Sequence, residues 1–343
     1  MTHSGSIIAA AQSPGKLILS GEHAAVYGQP ALALATSHHA RATITERQQD
    51  IMIRVGGSEY TRRFSPADLH ALASQVQGRY DAFCAGTIPI ERVLDEPFDL
   101  LLMAMHAGLG NTTAAFQLEL ELTIPLGCGM GSSAAAGLAI IAAVARAAGH
   151  QQSRDDLYES AMQVESYQHG RPSGVDTTVC LHGGLIRFQK GQSHQPVTFE
   201  AAILADCHLI LTGRPAASTG ECVSYVRQHH GESTIWPAFG NVTEAIQTAF
   251  CTNHATAFRD AVRENHQLLT QIGVVPATVQ QFVQQVENAR GAAKVCGAGS
   301  TKGESAGVLL VTGLSTQILQ DLLVDYPYIL SDLQWDSHGT RLL

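Results

Sequence analysis

Four segments of this chain place charged or hydroxyl side chains among glycines, a combination suited to handling phosphate. The first is SPGKLILSGEHAAVYG, residues 13–28, where Lys16 follows Pro14-Gly15 and Glu22-His23 follow Gly21. A lone lysine is ordinarily a surface residue. Polar groups embedded between apolar runs are harder to dismiss, because burying them costs free energy unless they are partnered. The second is PLGCGMGSS, residues 125–133. Gly127, Gly129 and Gly131 let the backbone approach a ligand closely, and Ser132-Ser133 open a helix. The orphan amides and dipole of such a helix end favour an anion, and no acidic residue stands in its first turn. A tight turn with a serine cap accounts for the same residues. The loop is neither a G-K-[S/T] phosphate loop nor a G-x-G-x-x-G fingerprint.

The third segment, ESYQHGRPSGVD, has Glu165 near a helix end and carries Asp176 after a Pro-Ser-Gly turn. A chain reversal there brings two carboxylates to one place. Phosphoryl transfer needs a carboxylate to hold magnesium and another group to orient or deprotonate the nucleophile. A solvated helix glutamate and a turn aspartate remain the plainer account of this segment alone. The fourth, KVCGAGSTKGESAG at 294–307, is a second glycine loop, whose Ser300 and Lys302 either reach phosphate or belong to a surface turn.

These segments sit among elements that the hydrophobic pattern outlines. Residues 116–124 alternate strictly, Phe116, Leu118, Leu120, Leu122 and Ile124 against Gln117, Glu119, Glu121 and Thr123, which predicts a strand with one wet face. A helix is expected from Ser132 to Ala148, directly after the glycine loop. Ser153 with Asp156 three residues on predicts a capped helix to about Gln168, and Ser65-Pro66 predicts another to Gln77. Further helices are expected at 97–107, 241–272, 277–290 and from Ser315. Strands are expected at 7–12, 184–188, 203–212 and 308–311, with a strand pair at 40–46 and 51–55, and one last strand. This is a mixed α+β order, not the regular alternation of a parallel doubly wound sheet. A domain boundary is expected between 185 and 200.

Composition narrows the function classes. The chain has 343 residues, enough for two cores. With 45% hydrophobic and 15% charged residues it reads as globular. A formal net charge of −9 without a long basic run argues against nucleic acid. The seven cysteines are scattered with no C-x-x-C pair, which suits reduced thiols better than a disulfide framework or structural zinc. The 16 histidines show no H-E-x-x-H or other metal spacing. The first residues lack the pattern of a signal peptide, and the most apolar stretch, 134–149, is too short to span a bilayer. A cytoplasmic protein without a membrane partner is expected.

In this order the segments resemble the GHMP kinase superfamily and, within it, the mevalonate kinases. SPGKLILSGEHAAVYGQPALA is similar to the family's N-terminal motif, IPLGCGMGSSAAAGLA to its ATP-phosphate loop, and ESYQHGRPSGVDTTV with GGLIRF to its magnesium and catalytic segment. LTGRPAAST is similar to a substrate-side segment. The resemblance implies a two-domain GHMP fold, divided here as 1–190 and 191–343, with ATP, Mg2+ and an alcohol acceptor meeting between the domains. It implies Asp176 as the catalytic carboxylate and Lys16 beside it. Gly127, Gly129, Met130, Gly131, Ser132 and Ser133 would cradle the phosphates. Ser133 and Glu165 would hold magnesium, while Glu22, His23 and Thr219 would face the acceptor. The implied reaction is phosphorylation of the primary hydroxyl of mevalonate. Phosphomevalonate or a sugar are alternative acceptors, and an ATP or metabolite sensor is the non-catalytic alternative. Family members often dimerise, so a homodimer is expected. Two positions depart from the family pattern. The final glycine run, near GAGGGG in relatives, is here Gly297-Ala298-Gly299-Ser300-Thr301-Lys302-Gly303-Glu304, and Thr177 stands where Asn is common. Lys302 is expected to approach phosphate, or else to pair with Glu304 in solvent.

Overall fold

The computed structural model describes residues 6–57, 59–96, 98–110 and 112–343. The chain opens with two long strands, β1 (Ile7–Ser20) and β2 (Ala31–Glu46), followed by β3 (Ile51–Val55) and β4 (Thr61–Phe64). Helices α1 (Pro66–Cys84) and α2 (Asp99–Leu109) precede β5 (Phe116–Leu122). Three helices then run in succession, α3 (Ser132–Ala147), α4 (Arg154–His169) and α5 (Val175–His182), before the short strands β6 (Leu185–Phe188) and β7 (Gln195–Val197). The rest comprises β8 (Cys207–Leu211), α6 (Thr219–His230), α7 (Trp236–Thr252), α8 (Ala255–Gln271), α9 (Ala277–Asn288), β9 (Ala292–Cys296), β10 (Val308–Thr312), α10 (Thr316–Leu322), β11 (Ile329–Asp332) and β12 (Arg341–Leu342).

Two sheets organise these elements. The larger has eight strands, six of them in the order β12-β1-β2-β5-β3-β4, with β6 and β7 joined through β2. The smaller has four strands, ordered β11-β8-β10-β9 and antiparallel throughout. The end of the chain returns to the first sheet, where Leu342 pairs with Ala11. Among the described residues no helix is long and apolar enough to cross a membrane.

The alternating strand is β5, with Phe116, Leu118 and Leu120 buried. It pairs antiparallel with β2 and parallel with β3. The segments 40–46 and 51–55, expected to pair with each other, are therefore separated by β5. The capping-box helices form as expected, with Ser65 and Ser153 accepting from the backbone of Asp68 and Asp156. The expected helix start at Pro97 lies outside the described residues.

Helix α3 is the centre of the first layer. Its small residues are buried on almost every face, as in a helix enclosed on all sides. Gly108 of α2 makes room for it, since a Cβ there would stand 2.8 Å from the Ile141 carbonyl. Three elements escape the sequence pattern. Strand β9 is buried along its whole length and so shows no alternation. Helix α5 has only eight residues, several β-branched. Helix α6, not expected from the hydrophobic pattern, begins with a Ser218-Glu221 capping box. The long helical stretch expected at 241–272 is two helices, broken at Asn253, which adopts a left-handed conformation with φ 51°.

Candidate active site

The site assembles where β1 passes beneath the 125–133 loop. Pro14 cannot donate to the sheet, and the register of β1 against β2 shifts between Pro14 and Gly15. Gly15 then lets the loop settle on the strand, for a Cβ there would meet the Met130 carbonyl at 2.9 Å. The Lys16 amide donates to that same carbonyl at 2.9 Å. The Lys16 ammonium donates to the Gly129 carbonyl at 3.0 Å and pairs with Asp176 Oδ1 at 3.1 Å. The Lys16 side chain is 5% exposed and that of Asp176 is 40% exposed. The cation is thus sealed into the floor, and the carboxylate opens to solvent, where a ligand can meet it.

Gly127, Gly129 and Gly131 all have φ between 71° and 82°, a region that L side chains avoid. Gly131 is the N-cap of α3, so no side chain caps the helix, and the first turn contains no acidic residue. The amides at this end are left for an external anion. Ser132 and Ser133 occupy the first two helical positions. A Cβ at Gly131 would lie 3.0 Å from Cγ of Lys16 and 3.6 Å from Asp176 Oδ2, so the loop, lysine and aspartate form one surface. Arg214, in the loop after β8, lies against Gly127, its side chain 3.3 Å from where a Cβ would stand. This cation was missed in the sequence because nothing local distinguishes it from a solvated arginine.

Glu165 comes from α4 and lies under the start of α3. Ser133 Oγ donates to its Oε2 at 3.1 Å, and His169 Nε2 stands 3.6 Å from the same oxygen. Burial pushes the carboxyl up to about 7, opposed by the Ser133 hydrogen bond and the Lys16 charge and reinforced by Asp176. Its other oxygen, Oε1, is buried without a hydrogen-bond partner. An orphaned carboxylate oxygen beside a serine hydroxyl, at the uncapped end of a helix, is a donor set suited to a hard divalent cation. No group of three or more His, Cys, Asp or Glu among the described residues could hold a metal by itself. The fit is to an ion shared with phosphate oxygens, as magnesium usually is.

Glu22 and His23, expected on the acceptor side, are both buried side chains. The Glu22 carboxylate is fully buried in an ion pair with Lys294 of β9, whose side chain is equally sealed. Burial alone would lower the Lys294 ammonium, but Cys296 and Glu22 outweigh it and the net direction is upward. His23 is 2% exposed, and its Nε2 meets the Ala298 carbonyl at 3.0 Å. Burial lowers its pKa, against that contact and the Glu22 charge. Both residues therefore fasten the turn after β1 to β9 and the loop beyond it. Thr219 is exposed at the first position of α6, and among the described residues no hydrogen bond joins it to Lys16 or Asp176. Lys302 binds neither phosphate-loop atoms nor Glu304. Its ammonium pairs with Glu221 at 2.7 Å. Lys294 had a legible signal: like Lys16, it is a lysine inside an apolar run.

Comparison with known proteins places this arrangement. Residues 98–184 match the family described as GHMP kinases N terminal domain. The mevalonate kinase of Thermococcus gammatolerans is 30% identical over 309 residues, which cover 84% of this chain and 86% of that protein. The chain belongs to the GHMP kinase family. It is an ATP-dependent small-molecule kinase. The mevalonate kinase of Aeropyrum pernix is 28% identical over 187 residues, so this chain spans about half of that relative's length, 52%. The crystal structure of Methanococcus jannaschii mevalonate kinase superimposes with a TM-score of 0.78 at 21% identity, covering 97% of this chain and 99% of that one. That likeness carries the two-domain GHMP fold.

Proposed function

We propose that this kinase transfers the γ-phosphoryl group of ATP to the primary hydroxyl of mevalonate, giving 5-phosphomevalonate. The observation that carries the chemistry is the convergence of the sealed Lys16 ammonium, the open Asp176 carboxylate and the uncapped end of α3 on one opening. The likeness to mevalonate kinases supports the choice of acceptor.

In this reading the loop amides from Gly127 to Ser132 receive the phosphates, where fixed dipoles offset charge without reorganising. Asp176 accepts the proton of the acceptor hydroxyl. Lys16, held by the Gly129 carbonyl, keeps a positive charge against the oxygen that attacks. Ser133 and Glu165 would hold Mg2+, whose charge would offset that of the phosphates. Thr219 lies on the acceptor side. Glu22 and His23 serve that side indirectly, by fixing the turn that follows β1. The division into lobes is 1–190 and 191–343, with β7 and β12 completing the first sheet from beyond that boundary.

The test is turnover of ATP with mevalonate, phosphomevalonate, galactose and homoserine as acceptors, with product identified by mass spectrometry. Mevalonate is expected to give 5-phosphomevalonate. Good turnover of galactose without phosphomevalonate formation would remove the acceptor assignment and leave the kinase.

A further inference from the structure

The loop between β9 and β10, residues 297–307, departs from the glycine run of the family, and its contacts differ at its two ends. Its base touches the phosphate loop. A Cβ at Gly307 would stand 2.7 Å from the Cys128 carbonyl, and one at Gly129 would lie 3.5 Å from the Cys296 carbonyl. Its tip touches the segment that leads into α6. Ser300 is 1% exposed, and its Oγ accepts from the Ala217 amide at 3.2 Å while donating to the Lys302 carbonyl at 2.6 Å. The Ser300 amide donates to the Val274 carbonyl at 2.9 Å, anchoring the tip from below. Gly303 packs so closely that a Cβ there would be 2.8 Å from that of Ala216.

Lys302 completes the contact by pairing with Glu221. Glu221 is also the third residue of the α6 capping box, where its Oε2 accepts from the Ser218 amide at 2.7 Å. The Lys302 hydrogen bond and those from Ser218 hold its carboxyl down at about 2, so it remains charged at any working pH. The same carboxylate thus closes the helix end and receives the loop lysine.

We propose that Ser300 and Lys302 are positioning residues for the acceptor, holding the start of α6, and Thr219 with it, in register with the phosphate loop. This rests on the reading that Thr219 lies on the acceptor side. Lys302 acts on the protein's own carboxylate, and its cation is spent there. The loop spans from the phosphate-loop backbone to α6, so the distance between the two substrates depends on its polar tip.

Steady-state kinetics of the full-length enzyme, varying mevalonate and Mg-ATP separately, tests this. Ser300→Ala removes the bridge to the Ala217 amide and is expected to raise the acceptor KM about tenfold, with the ATP KM within about twofold of wild type. Lys302→Gln is half exposed and safe for folding. It is expected to raise the acceptor KM by about two- to fivefold. Glu221→Gln, which keeps the capping geometry, should match Lys302→Gln, and the double variant should be no worse than either. Salt should raise the acceptor KM more steeply in the wild type than in Lys302→Gln. An unchanged acceptor KM in both Ser300→Ala and Lys302→Gln, or a rise confined to the ATP KM, overturns the inference. A wild-type enzyme that ignores mevalonate but phosphorylates another acceptor instead removes the acceptor assignment, and the same variants are then read with that acceptor.

Discussion

Two lysine–carboxylate pairs lie close together in this molecule, and they are built for opposite purposes. Lys16 and Asp176 join strand β1 to the opening beside the 125–133 loop. The lysine is sealed and the carboxylate is 40% exposed. Glu22 and Lys294 join the turn after β1 to β9, and both side chains are 0% exposed. A carboxylate that solvent can reach is free to take a proton from a substrate. One that is sealed against an ammonium on all sides can only hold structure. Both pairs join a lysine to a carboxylate, and exposure of the carboxylate separates the pair that a ligand can reach from the pair that fastens structure. The sealed pair is not fully satisfied either. Glu22 Oε2, Asn265 Oδ1 and His266 Nδ1 are buried without hydrogen-bond partners in and around it, which makes the cluster sensitive to change.

The sharpest separation of the pairs comes from removing one charge in each. Asp176→Asn is expected to lower kcat by about 10²- to 10⁴-fold while nucleotide still binds. Lys16→Met should also cripple turnover. A near-normal rate in either variant, measured by coupled ATP turnover, would show that the open pair is not the reacting one. Lys294→Met should act the other way, on folding first. Leaving Glu22 buried and unpaired costs roughly 3–5 kcal/mol, readable in urea denaturation. Adding Glu22→Gln to Lys294→Met should recover part of that loss, because no uncompensated charge then remains. Equal stability of the single and double variants would mean that the pair is not coupled.

A smaller effect is expected at the buried carboxylate of Glu165, beside the open pair. Glu165→Gln should raise the Mg2+ concentration required for half-maximal turnover, with the acceptor KM little changed, since an amide lacks the charge that a metal ligand carries. An unchanged magnesium titration would return Glu165 to a purely structural role. The smallest effect belongs to His266, whose pKa burial lowers to about 4, assisted by the Lys294 charge. The sign follows from the depressed value. Above pH 6.5 the ring is neutral in both folded and unfolded chains and adds no pH dependence. Below it the unfolded chain binds a proton that the folded one refuses until about pH 4. Stability should therefore fall with acid across that window, by up to ~3 kcal/mol from this group. His266→Gln should flatten that part of the stability–pH curve, and an unaltered slope would place the acid sensitivity elsewhere.

Local signals were enough for much of the frame. The alternation of residues 116–124, the capping boxes at Ser65 and Ser153 and the glycine loop before α3 each depend on interactions within a few residues, so their chemistry is written where they stand. Lys16, Ser133, Glu165 and Asp176 stood out only through the resemblance of their segments to the kinase family, since the residues alone read equally well as a surface lysine, a helix cap, a solvated glutamate and a turn aspartate. Strand β9 and helix α5 were not legible, since a strand buried on both faces and a short helix have no period to read. The sequence by itself determined the α+β class and marked the glycine-rich segments that come together at one opening. Only the tertiary structure decided what the flanking charges do. Glu22 meets Lys294 across 272 positions, and Lys302 meets Glu221 across 81. The physical reason is that a charged side chain takes its role from the partner and the solvent it finds. Both depend on how distant segments pack, and no local pattern records that.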